Sequence, residues 1–243
     1  MGINERFFCL DGQWNVIHLP ERPNGFGIML FGDRNHYVDE TCSLWKQHKE
    51  RHALITALIN EGYTVFYSHL YGKHWGSKQA VMLAKRVYRY VMKFEILNPN
   101  IHMLAEGMGA LAALGFIEEM PTFTRSAVFL NPCVNIGEYL LQEKQNQLFH
   151  KRIRKEIGQA YQLKDVDVEA NFTKPLTLNH PVPLHIFHEV AGTTFPFSLH
   201  SRPFEQQALQ KGLPVSLSLQ MPKEHWVGAP LLISFYKLYE KNL

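Results

Sequence analysis

The sequence predicts an α/β domain with a mainly parallel sheet, and three observations carry that expectation. Short apolar runs of strand length recur along the chain. Segments with apolar residues at helical spacing separate them. The runs are apolar on both faces more often than alternating, as strands covered by helices on both sides must be.

The first element is an exception to the parallel pattern. Arg6–Leu10, the pair Asp11-Gly12 and Trp14–His18 read as a β-hairpin, because Asp-Gly accepts positive φ at both central positions of a tight turn. It supplies antiparallel strands at one edge. The apolar runs that follow are Gly27–Phe31, Tyr63–Tyr67, Ile101–Ala105, Ser126–Leu130, Pro183–Phe187 and Pro214–Leu219. Between them, Leu44–Asn60 carries Leu44, Ala53, Leu54, Ala57 and Leu58 at helical spacing. Ala80, Ala84, Val87, Tyr88 and Val91 form a second helical stripe. Further helices are expected at Met108–Glu119, Glu138–Gln159, Pro203–Gly212 and Leu231–Lys241.

One stretch breaks the alternation. About fifty residues separate the runs ending at Leu130 and starting at Pro183, far more than the ~2–6 of an α/β loop. Residues 132–181 are therefore expected to form a helical cap inserted into a single domain of residues 1–243. It would lie over the carboxyl edge of the sheet, where ligand sites of this class lie. An elongated ordinary crossover is the other reading. Tyr139, Leu140, Leu141, Leu148 and Phe149 form an apolar stripe within it. That stripe either packs on its own domain or pairs two copies as a homodimer.

Composition narrows the class of protein. With 46% hydrophobic residues among 243, the chain has material for a sizeable core and is not a disordered segment. The longest apolar run, Gly107–Ile117, falls short of the ~18 residues that span a bilayer, so no membrane partner is expected. The opening residues MGINERFFCLDG lack the basic-then-apolar pattern of an export signal. The three cysteines (Cys9, Cys42, Cys133) follow no framework spacing, which suits a reduced, cytoplasmic compartment. Net charge is +3, and the one basic cluster, His150–Lys155, reads as a solvated helix face rather than a nucleic-acid site.

The most specific segment is Ile101–Leu114: an apolar strand, then a sharp turn of small residues, then a helix. It resembles the nucleophile elbow of the α/β-hydrolase family, whose pattern is Gly-x-Ser-x-Gly in that same context. Ala105 and Gly109 stand at the two small positions, and Gly107 stands where the family has its nucleophile. Leu30-Phe31-Gly32-Asp33 resembles the family's oxyanion loop, and Leu70–Ser77 its glycine-rich loop. Pro183–His188 with Val190–Pro196 resembles the strand and loop of the triad acid, and there the acid position falls on Gly192. Pro222–Trp226 resembles the loop of the triad histidine, which would be His225. The resemblance runs from about Phe26 to the C-terminus and implies an α/β-hydrolase fold.

It also implies a degenerate triad. Glycine has no atom that attacks an acyl carbon, so Gly107 removes covalent catalysis. Gly192 removes the carboxylate that orients the histidine. The N–H of Met108, with one near Gly32 or Asp33, would still form an anion or carbonyl site lined by Phe31, Trp75, Met108 and Trp226. A pseudo-hydrolase that binds a small acyl or carboxylate ligand, or a partner, is the leading expectation, with no cofactor. The alternative is an active esterase. Its nucleophile would be Cys133, or water activated by His225 with Glu189 or Glu224 as the orienting acid. No metal is expected, because His48 and His52 lack the His-Glu-x-x-His order and a third ligand. His185 and His188 read as one inward and one outward strand side chain.

Overall fold

A computed structural model of the chain describes residues 4–221 and 228–240. Among these residues eight strands form one sheet: β1 (Asn4–Leu10), β2 (Gln13–Leu19), β3 (Gly27–Phe31), β4 (Thr64–Ser68), β5 (Ile101–Glu106), β6 (Thr124–Leu130), β7 (Leu184–Glu189) and β8 (Val215–Gln220). Their spatial order is β1-β2-β4-β3-β5-β6-β7-β8. The pairs β1–β2 and β2–β4 are antiparallel and every later pair is parallel. Asp11 (φ 53°) and Gly12 (φ 70°) both lie in the left-handed region, so the first hairpin closes as its turn pair requires.

Helices cover both faces. The long helix α3 (Lys78–Phe94) buries Ala80, Ala84, Val87, Tyr88 and Val91, the stripe its sequence announces. It packs beside α4 (Gly109–Glu119), where a side chain at Gly115 would overlap Val81. Together with α8 (Ser201–Gln210) they close one apolar layer. On the other face, α2 (Lys49–Asn60) and α9 (Ala229–Lys237) close a second layer over Ile28, Val65, Leu104 and Val128. β3, β4 and β5 are buried along their whole length between the two layers.

Two expected helices are each divided. The segment 44–60 breaks at His48, whose backbone is extended (φ −82°, ψ 120°), giving α1 (Leu44–Gln47) and α2. Ser43 caps α1 and also bonds Tyr67 Oη at 2.8 Å, while Trp45 is fully buried. This anchor holds the short helix on its own axis while α2 buries Leu54, Ile55, Leu58 and Ile59. The segment 138–159 likewise divides into α5 (Ile136–Glu143) and α6 (Gln147–Tyr161), because Asn146 caps the second helix by accepting from Phe149 N–H.

Between β6 and β7 the chain runs through α5, α6 and the one-turn α7 (Val168–Asn171). Ile136, Tyr139, Leu140, Ile153, Ile157 and Val168 from these helices cluster with Trp75, Met108, Leu111, Cys133 and Phe195. Trp75, Met108, Cys133 and Phe195 follow β4, β5, β6 and β7 respectively, so the helices lie over the carboxyl ends of the strands. Of the predicted stripe, Tyr139 and Leu140 are consumed in this packing, whereas Leu141 and Leu148 stay exposed.

Burial also makes stability depend on pH. Desolvation lowers His18, His36, His74 and His200 to about 3 and His188 to about 4, against 6.5 for an unperturbed histidine. From pH 6.5 downward the unfolded chain therefore binds protons that the folded chain refuses, until the folded values are reached. Stability contributed by these neutral rings is complete above pH 6.5 and is lost as the pH falls toward 3. Urea unfolding at pH 7.5 and 5.5 is expected to give a clearly lower unfolding free energy at 5.5. Equal values would show that these rings are not held neutral.

Candidate functional site

The elbow is built as its small residues dictate. β5 ends at Glu106, Gly107 takes φ +51°, and α4 begins two residues later. Gly107 N–H donates to Leu130 O at 3.0 Å and its carbonyl accepts from Cys133 N–H at 2.9 Å, so the turn is clamped to the end of β6 and the segment that follows it. A Cβ on Gly109 would overlap the carbonyl of Phe31, which is why a small residue stands there. Glu106, buried beside the turn, is held bidentate by Arg51 from α2 (Nε–Oε2 3.0 Å). Desolvation raises its pKa and the Arg51 guanidinium opposes that rise.

The site residues behave differently from what the sequence alone suggests. Asp33 contributes its side chain: Oδ1 accepts the Met108 N–H at 2.8 Å. The carboxylate fills the space into which a side chain at position 107 would project, and a Cβ there would overlap it. The amide expected to point into an open pocket is thus satisfied from within. Asp33 is itself fixed by a tight turn in which His36 N–H donates to its carbonyl at 2.7 Å. His36 packs against Gly32, where any Cβ would meet the ring, and its Nε2 bonds Ser68 O at 3.2 Å.

Trp75, Met108 and Phe31 have no solvent exposure, so they do not line an open cavity. Phe31 turns into the sheet–helix core against Phe116, with ring centroids 6.3 Å apart. Trp75 donates its backbone N–H to Met108 Sδ at 3.2 Å and stacks on Tyr139 at 5.6 Å. Its carbonyl accepts from Tyr161 Oη at 2.8 Å. Cys133 is buried among the same residues, and desolvation, reinforced by the Asp33 charge, raises its pKa well above the ordinary thiol value. A thiol so placed stays protonated and is a poor nucleophile.

Gly192 lies apart from this cluster, in an exposed turn after β7 with φ +80° and open space where a Cβ would project. His225, Trp226 and Glu224 lie outside the described residues. Glu189 ends β7, and its N–H donates to Asn131 Oδ1 at 2.8 Å. Among the described residues no group of three His, Cys, Asp or Glu is arranged to hold a metal. His185 sits between the hydroxyls of Ser216 (2.7 Å) and Ser218 (3.0 Å), while His188 bonds Ser201 Oγ at 2.6 Å in the interior.

A further group escapes sequence reasoning altogether. Glu156 on α6, 8% exposed, receives Lys73 Nζ at 2.7 Å, Arg152 Nε at 3.1 Å and Arg34 Nε at 3.4 Å. Lys73 follows β4 and Arg34 follows β3, so one carboxylate joins the overlying helix to two loops at the carboxyl edge. The only sequence signal is its place between Ile153 and Ile157 on the inward face of α6.

Solved structures share this fold. Est1E from Butyrivibrio proteoclasticus superposes with a TM-score of 0.60 at 14% identity, covering 97% of this chain and 96% of that one. A lipase/esterase from Lactobacillus plantarum superposes with a TM-score of 0.64 at 10% identity, over 98% of each chain. Pyrococcus horikoshii acylaminoacyl peptidase gives 0.63 at 13% identity, covering 99% of this chain and 42% of its own. The fold is that of the α/β-hydrolases. No protein-family model matches the sequence, and no curated protein matches it.

The overlap between positions 33 and 107 leads to a coupled pair of substitutions. Gly107→Ser is expected to destabilise the protein by about 1–3 kcal/mol, since the new side chain must expel the carboxylate. Asp33→Ala alone strands the Met108 N–H and costs about 1–3 kcal/mol. Combined, they should cost clearly less than the sum, as read from a denaturation double-mutant cycle. Additivity within about 0.5 kcal/mol would show that the two positions do not compete for one space.

Proposed function

We propose that this protein uses an α/β-hydrolase frame for binding rather than for hydrolysis. The observation that carries the reading is the Asp33 carboxylate seated on the Met108 amide beside Gly107. In the hydrolytic mechanism that space belongs to a nucleophile and that amide to a developing oxyanion. Here the first is absent and the second is already engaged by an anion. Cys133 does not replace the nucleophile, because it is buried and protonated. Gly192 stands at the acid position, and His225 is the retained base position.

The ligand class follows from the occupant. A seat that accepts the Asp33 carboxylate also suits the carboxylate or acyl carbonyl of a small molecule. Such a ligand must displace Asp33 and part Trp75 and Tyr139 from Met108, with Gly32 and Trp226 as further candidate neighbours. Residues 132–181 act in this reading as a cap. Its outward residues Leu141 and Leu148 offer a face for a partner, a second copy included. Among the described residues no helix is long and apolar enough to cross a membrane, and neither nucleic acid nor a cofactor enters the proposal.

Turnover of fluorogenic short- and medium-chain acyl esters and thioesters is expected to stay at the buffer rate for both wild type and His225→Ala. A fluorophosphonate probe is expected to leave the protein unlabelled. Turnover that disappears in His225→Ala would refute the binding reading and point to activated water.

A further inference from the structure

Over its 17 residues α3 contains five cations and no acid. Lys78, Met82, Lys85, Arg86, Arg89 and Lys93 recur at helical spacing on the side opposite its buried stripe, Lys85 partly buried and the rest exposed. Lys85 pairs with Glu119 and Arg86 with Asp11. Lys78, Arg89 and Lys93 have no acidic partner among the described residues. With Arg6 and its partner Glu95 at the helix end, the face carries six cations against three acids, an excess of three (six minus three). The whole chain has a formal net charge of +3, so this one face holds as much excess charge as the entire protein.

The basic face ends in apolar side chains. Phe8 of β1 stacks on Tyr90 with ring centroids 4.1 Å apart, and Tyr90 meets Phe94 at 4.6 Å. Lys93 Nζ lies 5.6 Å from the centre of the Phe94 ring. Phe94 is 54% exposed. Ile96, two residues past the helix, is 98% exposed, more than any other large apolar side chain among the described residues. Scattered exposed apolar residues are ordinary, but these two adjoin an unbalanced run of cations.

We propose that this face of α3 docks on a bilayer surface rich in anionic phospholipids. Lys78, Arg89 and Lys93 meet the charged headgroups, and Phe94 and Ile96 enter the boundary between headgroups and acyl chains. A nucleic-acid backbone matches the cations but offers no apolar layer for Ile96, which has no ring on which a base could stack. No spanning helix is needed, because contact of this kind rests on charge and shallow apolar burial. Asp33, Gly107 and Met108 lie outside the face, so docking is independent of ligand binding at the elbow.

Co-sedimentation of the full chain with phosphatidylcholine vesicles, with and without about 30% phosphatidylserine, tests this. Arg89→Gln with Lys93→Gln removes two cations of the face, and Ile96→Ser removes its apolar tip. Lys164→Gln with Lys174→Gln removes the same charge from exposed positions elsewhere. Thermal melts verify that all three variants fold. Binding is expected with the anionic vesicles alone, and release on raising the salt from about 0.1 to about 0.5 M. It should weaken at least about tenfold in the Arg89 and Lys93 variant and about fivefold in Ile96→Ser, and stay unchanged in the distant pair. Absence of binding, equal binding to both kinds of vesicle, or an equal loss in the distant pair would each overturn the proposal. Tighter binding to a DNA duplex in the same buffer would overturn it in favour of nucleic acid.

Discussion

The hydrogen bond from the Met108 amide to the Asp33 carboxylate is the contact on which the carboxyl edge of this molecule depends. It engages the first free N–H after β5, at the point where the dipole of α4 favours a negative charge. It also requires that position 107 carry no side chain. Gly107 is free to take φ +51°, so the elbow keeps its sharp geometry without the strain a larger residue would store there. The backbone and the side-chain space of this turn answer to different constraints.

The helices over the edge are closed upon that centre by two kinds of force. Tyr139, Ile153 and Ile157 exclude water from Trp75 and Met108. Glu156 gathers cations from two loops and from its own helix. Glu156 and Arg34 are its buried members, and removing either leaves the other's charge poorly compensated in a poor solvent. The arrangement therefore fixes where α6 sits rather than adding greatly to stability.

Much of the fold was legible in the sequence. The alternation of apolar runs and helical stripes, the Asp11-Gly12 turn and the order of the loop motifs all express local rules. Backbone geometry acts within a few residues, and so it writes itself into short spans. The breaks at His48 and Asn146 were not read, because they depend on where Ser43 and Trp45 are anchored and on one capping side chain inside a polar run. At the site, Gly107 and Gly109 announced the elbow. The role of Asp33 did not show, because it is a relation between residues 74 positions apart (107 minus 33), just beyond the ends of two strands that only the sheet brings together. Glu156 was hidden for the same reason: a charge in a charged helix acquires meaning from its neighbours in space.

The shared space between Asp33 and Gly107 bears on how such a chain changes over generations. A serine arriving first at 107 finds its place taken, and a neutral residue arriving first at 33 abandons a buried amide. Either single change leaves a clash or an unpaired amide that the double change avoids. The elbow thus works as a ratchet, in which positions 33 and 107 change freely only together.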